Sequence, residues 1–118
     1  MTTIQTWESA SRLRIAVLGA GKMGGILVQA FLRSGLFPRE HVAATVAHES
    51  RATALSKQFG IPVTTDNLAA ARQADIILLG VKPQQMQDVV TGIAPALRPG
   101  KLLISFAASV KTLSLIHI

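Results

Sequence analysis

Apolar residues in this chain fall into short unbroken runs, separated by stretches in which they recur every three or four positions. That alternation predicts strands exchanged with helices. Ile15, Ala16, Val17 and Leu18 form the first run, continuous and as long as a strand buried on both faces. It breaks at Gly19, Gly21 and Gly24 into a segment where Met23, Ile26, Leu27, Ala30 and Phe31 recur at helical spacing opposite Lys22, Gln29 and Arg33, which predicts one helix with one buried face. Gly35 and then Pro38 supply its stop. Residues 41–46 predict a second strand, 50–59 a helix ended by Gly60, and 61–64 a short third strand. Asp66 is placed to cap a helix running through Leu68, Ala69, Ala70 and Ala71. Residues 75–81 are apolar almost throughout and predict a central fourth strand. Pro83 then opens a helix whose buried stripe is Met86, Val89, Val90, Ile93 and Leu97. After the Pro99-Gly100 turn, residues 101–106 predict a fifth strand, at which the sheet is expected to end.

Alternating strands and helices imply an α/β fold, a Rossmann-like doubly wound parallel sheet with right-handed crossovers. It is expected over residues 13–112, behind a short, poorly ordered leader of residues 1–12. A length of 118 residues bounds this to one modest domain, and the 49% hydrophobic content suits a sheet covered on both faces. The formal charge of +6 comes from scattered lysines and arginines with no run and few aromatics between them. This argues against a nucleic-acid surface and fits a polyanionic small-molecule ligand. Without cysteines there are neither disulfides nor thiolate metal sites, and no metal site is expected. The N-terminus lacks the basic-then-apolar order of a signal peptide, and no apolar run approaches the roughly 18 residues of a membrane helix. A soluble, cytoplasmic protein is expected, with no membrane partner.

The three spaced glycines carry the chemistry. After a buried strand and before an amphipathic helix, Gly19 permits the sharp turn, Gly21 lets a pyrophosphate approach the backbone, and Gly24 brings helix and sheet close together. Free N–H groups at the helix start and the positive end of its dipole favour phosphate. In open parallel sheets ligands sit beyond the carboxyl ends of the strands. That rule directs attention to residues 45–51, Asp66-Asn67, residues 80–83 and residues 107–109.

Gly19-Ala20-Gly21-Lys22-Met23-Gly24, Phe59-Gly60-Ile61, Thr65-Asp66-Asn67, the run from Asp75 to the Val81-Lys82-Pro83-Gln84 motif, and Ile104-Ser105-Phe106-Ala107-Ala108 occur in this order and spacing. Together, over about residues 12–111, they resemble the N-terminal domain of pyrroline-5-carboxylate reductase. The resemblance implies NAD(P)H-dependent reduction of 1-pyrroline-5-carboxylate to proline, by hydride transfer from the nicotinamide to a protonated imine. It also implies that the pyrophosphate is held by Gly19, Ala20, Gly21, Lys22, Met23 and Gly24 and that Asn67 makes an adenosine-side contact. Val81, Lys82 and Pro83 then serve the ribose and nicotinamide, with Ala107 and Ala108 beneath the ring. Lys82, preceding proline, is biased to an extended conformation that exposes both its carbonyl and its side chain.

The chain departs from the family pattern in two places. The Ser/Asn-Arg arrangement after the second strand is replaced, with Ala47 near the arginine position, and Ser109 stands where glycine is usual. His48, Ser50 and Arg51 can still grip a 2′-phosphate, Arg51 with the best charge, while Glu49 suits the first turn of the following helix. NADPH is therefore favoured over NADH. No residue of this chain looks like the catalytic acid. The resemblance places the substrate site and the dimer interface in a helical C-terminal domain that does not follow here, so the chain alone is expected to be inactive and homo-oligomerisation to need that domain. Residues 113–118 match what a transposon-end sequencing adapter encodes and are expected to be a non-native scar. Two alternatives are a nucleotide domain of a 3-hydroxyisobutyrate-type dehydrogenase, which would not be expected to carry Val81-Lys82-Pro83-Gln84, and a non-catalytic NAD(P)-sensing module.

Overall fold

The computed structural model describes residues 13–105 and 114–117. Its first element, β1 (Ile15–Leu18), is buried at every position. Chain order continues with α1 (Lys22–Ser34), a 3₁₀ turn at Arg39–His41, β2 (Val42–Thr45), α2 (Glu49–Phe59), β3 (Val63–Thr64) and α3 (Asn67–Gln73). Then come β4 (Ile76–Leu79), α4 (Pro83–Ile93), a second 3₁₀ turn at Ala94–Ala96, β5 (Leu102–Ser105) and β6 (Ser114–His117).

The sheet order is β3-β2-β1-β4-β5-β6, with β1 to β5 parallel and β6 antiparallel to β5. This is the doubly wound arrangement expected, and its strand order reverses direction between β1 and β4. Residue alternation along β1 divides the core. Ile15 and Val17 join Val28, Phe37, Val42, Leu55 and Phe59 on one face, and Ala16 and Leu18 join Ile77, Leu79, Ile93 and Leu103 on the other.

The stops and caps follow their chemistry. Gly35 and Gly60 end α1 and α2 in the left-handed conformation, each at φ 70°. The Asp66 carboxylate accepts the Ala69 N–H at 3.0 Å to cap α3, and Pro83 opens α4.

Three expectations need correction. His41 belongs to the 3₁₀ turn and not to the second strand, which starts at Val42. The buried face of α1 runs through Gly24 and Val28 with Leu27, Phe31 and Leu32 beside it, whereas Ile26 is 62% exposed and Ala30 is exposed. Positions two apart in sequence lie about 200° apart around a helix, so the contact line fixed by Gly24 and Val28 turns Ile26 away from the sheet. The sheet also does not end at β5, because residues 114–117 pair with its free edge, Leu103 opposite Ile116 and Ile104 opposite Leu115. An unpaired strand edge accepts any segment able to extend beside it. Among the described residues no helix is long and apolar enough to cross a membrane.

Candidate cofactor-binding site

The C-terminal ends of β1, β2 and β4 converge on a recess of about 500 Å³ lined by Gly19, Ala20, Gly21, Val46, Ala47, His48, Ser50, Arg51, Gly80, Val81, Lys82 and Gln85. It lies where the strand order reverses, the position at which open α/β sheets take their ligands. A second recess of about 300 Å³ shares Gly19, Val46, Ala47, Val81 and Gln85 with it and extends past Thr45, Thr65 and Asn67 to Asp88 and Val89. The two form one groove across the sheet end.

The floor is a backbone crossing that only small residues allow. Gly19 has φ +75°, and a Cβ there would stand 2.4 Å from Val81 Cγ1 and 3.2 Å from Val81 N. A Cβ on Gly24 would meet Gly19 O at 3.1 Å and Val17 Cγ1 at 3.3 Å, and one on Gly80 would meet Gly19 O at 3.1 Å. Gly19 therefore makes the turn and Gly24 brings α1 close, as the spacing of the motif implied. The role of Gly80 in the same crossing was not visible in the motif, because its partner is 61 residues away.

Gly21 is different. A Cβ on it would meet no protein atom within 4 Å, so the fold has no need of a glycine there. Gly21 lines the larger recess. The donors beside it are also defined. Gly19 N–H goes to Thr45 Oγ1 at 3.1 Å, Ala20 N–H to the Thr45 carbonyl at 2.7 Å, and Gly21 N–H to the Gly19 carbonyl at 2.7 Å. These three are spent inside the turn. Residues 22–24 form the first turn of α1, whose N-cap makes no side-chain hydrogen bond, so their N–H groups are the ones directed beyond the helix end. A pyrophosphate would be held by Lys22, Met23 and Gly24 through the backbone, with Gly19, Ala20 and Gly21 shaping the approach.

Opposite the glycines, His48 holds the N-cap position of α2, and Ser50 and Arg51 lie in its first turn. Arg51 and Lys82 place cationic groups on both walls of the larger recess, which has no carboxylate among its lining residues. Glu49 begins α2, but its Oε1 accepts the Thr65 hydroxyl proton at 3.1 Å and the residue does not line that recess. A carboxylate there would repel a 2′-phosphate, and Glu49 is engaged outside the larger recess. Val81 and Lys82 flank the β4 side, Lys82 in the extended conformation (φ −67°, ψ 151°) expected before proline, and Pro83 begins α4. Asn67 begins α3 and lines the smaller recess. Ala107 and Ala108 lie outside the described residues. Thr45, Val46 and Ala47, within the candidate loop of residues 45–51 but given no contact of their own, also line the groove, as does Gln85, which lay outside the candidate loops.

Residues 14–109 match the family model described as NADP oxidoreductase, coenzyme F420-dependent. The chain belongs to this family. Within this family of oxidoreductases, it is 39% identical over 97 residues to pyrroline-5-carboxylate reductase of Vibrio alginolyticus, covering 82% of this chain and 35% of the relative. The chain thus spans about a third of the length of the curated relatives it matches. Among solved structures it is similar to the Plasmodium falciparum pyrroline carboxylate reductase with NADP bound, at TM-score 0.69 and 26% identity over 82% of this chain and 34% of that one. It is also similar to an imine reductase variant from Myxococcus stipitatus in complex with NAD+, at TM-score 0.68 and 28% identity over 82% of this chain and 32% of that one.

Proposed function

We propose that this chain is the cofactor-binding part of a pyrroline-5-carboxylate reductase that uses NADPH in preference to NADH. The single observation that carries the reading is the space above Gly21, empty of protein atoms beside the first turn of α1 and facing two cationic walls. Bound there, the nicotinamide would supply a hydride for reduction of the C=N bond of 1-pyrroline-5-carboxylate to proline. The backbone N–H groups of residues 22–24 hold the pyrophosphate. Arg51, with His48 and Ser50 beside it, takes the 2′-phosphate through charge-assisted contacts. Asn67 serves the adenosine side, and Val81, Lys82 and Pro83 orient the ribose and nicotinamide, with Ala107 and Ala108 under the ring. Among the described residues none is assigned to protonating the imine, and the contribution of this chain is to fix the cofactor at reacting distance from a substrate held by other residues of the full-length enzyme.

The test compares NADPH and NADH by fluorescence titration for the parent and for Arg51→Ala. NADPH should bind the parent more tightly. The substitution should weaken NADPH by about 1 to 3 kcal/mol, one charge-assisted contact, and leave NADH nearly unchanged. Equal affinities of the parent for both nucleotides contradict the preference.

A further inference from the structure

Thr45 is the one buried polar side chain among the described residues, 1% exposed at the end of β2, and none of the motifs that carry the cofactor reading includes it. Its hydroxyl lies where three elements meet. Oγ1 accepts the Gly19 N–H at 3.1 Å and donates its own proton to Asn67 Oδ1, while the Thr45 carbonyl accepts the Ala20 N–H at 2.7 Å. The direction of the second bond follows from the donor inventory. A buried hydroxyl proton needs an acceptor, Oγ1 already receives Gly19, and of the two ends of the Asn67 amide only the oxygen accepts. That leaves the Nδ2 end of Asn67, which has no protein partner among the described residues, on a side chain that lines the smaller recess.

We infer that Thr45 is a positioning residue: one hydroxyl ties the glycine turn to β2 and turns Asn67 so that its NH₂ edge is offered to the groove. An NH₂ edge suits phosphate or ribose oxygens, which accept hydrogen bonds, and the opposite orientation would present a carbonyl to them. The inference rests on the groove being a dinucleotide site. Serine at position 45 keeps the hydroxyl. Valine keeps the shape and loses both side-chain bonds, leaving the half-buried Gly19 N–H without its partner.

Binding of NADPH and of its adenosine-side fragment 2′,5′-ADP is measured by calorimetry for the parent, Thr45→Ser, Thr45→Val, Asn67→Ala and Asn67→Asp, with thermal melting alongside. Thr45→Ser should bind within about twofold of the parent, and Thr45→Val roughly five- to tenfold more weakly, the loss expected for one hydrogen bond. Asn67→Asp should bind both ligands more weakly than Asn67→Ala, because one carboxylate oxygen takes the Thr45 bond and the other faces the anion. The Asn67 pair does not depend on the buried site, so it decides the matter even if Thr45→Val fails to fold. Thr45→Val binding like the parent, or Asn67→Asp binding at least as tightly as Asn67→Ala, overturns the inference. If the parent binds neither ligand, the dinucleotide reading falls with it. If the parent binds and all four variants bind alike, the roles of Thr45 and Asn67 fall and the dinucleotide reading stands.

Discussion

Gly19 and Gly21, which serve different ends, can be separated by substitution. Alanine at Gly19 would place a Cβ 2.4 Å from Val81 Cγ1 and 3.2 Å from Val81 N, at φ +75°. The left-handed conformation costs a non-glycine residue about 1 to 2 kcal/mol. Overpacking against a nearly buried valine adds about 1 to 3 kcal/mol, giving about 2 to 5 kcal/mol in all. For a domain of this size each kcal/mol moves the melting midpoint by about 4 to 8 °C, so Gly19→Ala should melt at least about 8 °C below the parent. Gly21→Val places its Cβ within 4 Å of no protein atom, at a helix N-cap with φ −79°. Its cost to the fold is about 1 kcal/mol, the usual loss of a favourable N-cap residue. Its cost to binding is larger, because the branched side chain enters the space through which a pyrophosphate reaches the N–H groups of residues 22–24. Loss of two charge-assisted hydrogen bonds, about 1.5 to 3 kcal/mol each, weakens NADPH by more than about 100-fold. Circular dichroism melting reads the first effect and NADPH fluorescence titration the second. A Gly21→Val protein that binds NADPH within threefold of the parent would show that position 21 does not border the path of the pyrophosphate, and the phosphate cradle would have to be abandoned.

Lys101 donates from Nζ to the carbonyls of Ala71 at 2.6 Å and Arg72 at 3.0 Å, closing the C-terminal end of α3, so Lys101→Met should cost about 1 to 2 kcal/mol in urea unfolding. Burial, reinforced by Arg98 and opposed by Asp75, holds its ammonium below the ordinary lysine value of 10.5. The unfolded chain therefore binds that proton more tightly, and the advantage of the parent over Lys101→Met should grow as pH rises towards 10.5. An advantage that shrinks over this range contradicts the assignment. On α1, Ile26→Gln should change stability by less than about 0.5 kcal/mol at a 62% exposed site. Val28→Ala, at a fully buried one, should cost about 1 to 3 kcal/mol by the same measurement, and a reversed order would place the helix face wrongly.

Much of this was legible in the residues. The unbroken runs at residues 15–18 and 76–79 are the two central strands, and Gly35, Gly60, Asp66 and Pro83 sit where helix stops and starts need them. Local chemistry governs each of these positions, so local sequence reports them. Ile26 was misread because its contact line depends on how closely Gly24 lets α1 approach the sheet, a distance that periodicity does not contain. Thr45 and Gly80 fell inside the candidate loops, but their particular roles were not legible for a related reason. Both meet residues distant in sequence, through a crossing that exists only once β1, β2 and β4 lie side by side. The pairing of residues 114–117 with β5 is likewise a property of an open edge and not of a turn signal.

The central claim is that a dinucleotide occupies the groove at the C-terminal ends of β1, β2 and β4, and backbone amide shifts of labelled protein during NADPH titration test it most directly. Saturable changes are expected at Gly19 to Gly24, at Val46 to Arg51, at Asn67 and at Val81 to Gln85, with Arg14, Glu40 and Gln73 at the opposite end of the sheet undisturbed. Changes concentrated at that opposite end, or a spectrum unaltered by saturating NADPH, would contradict it.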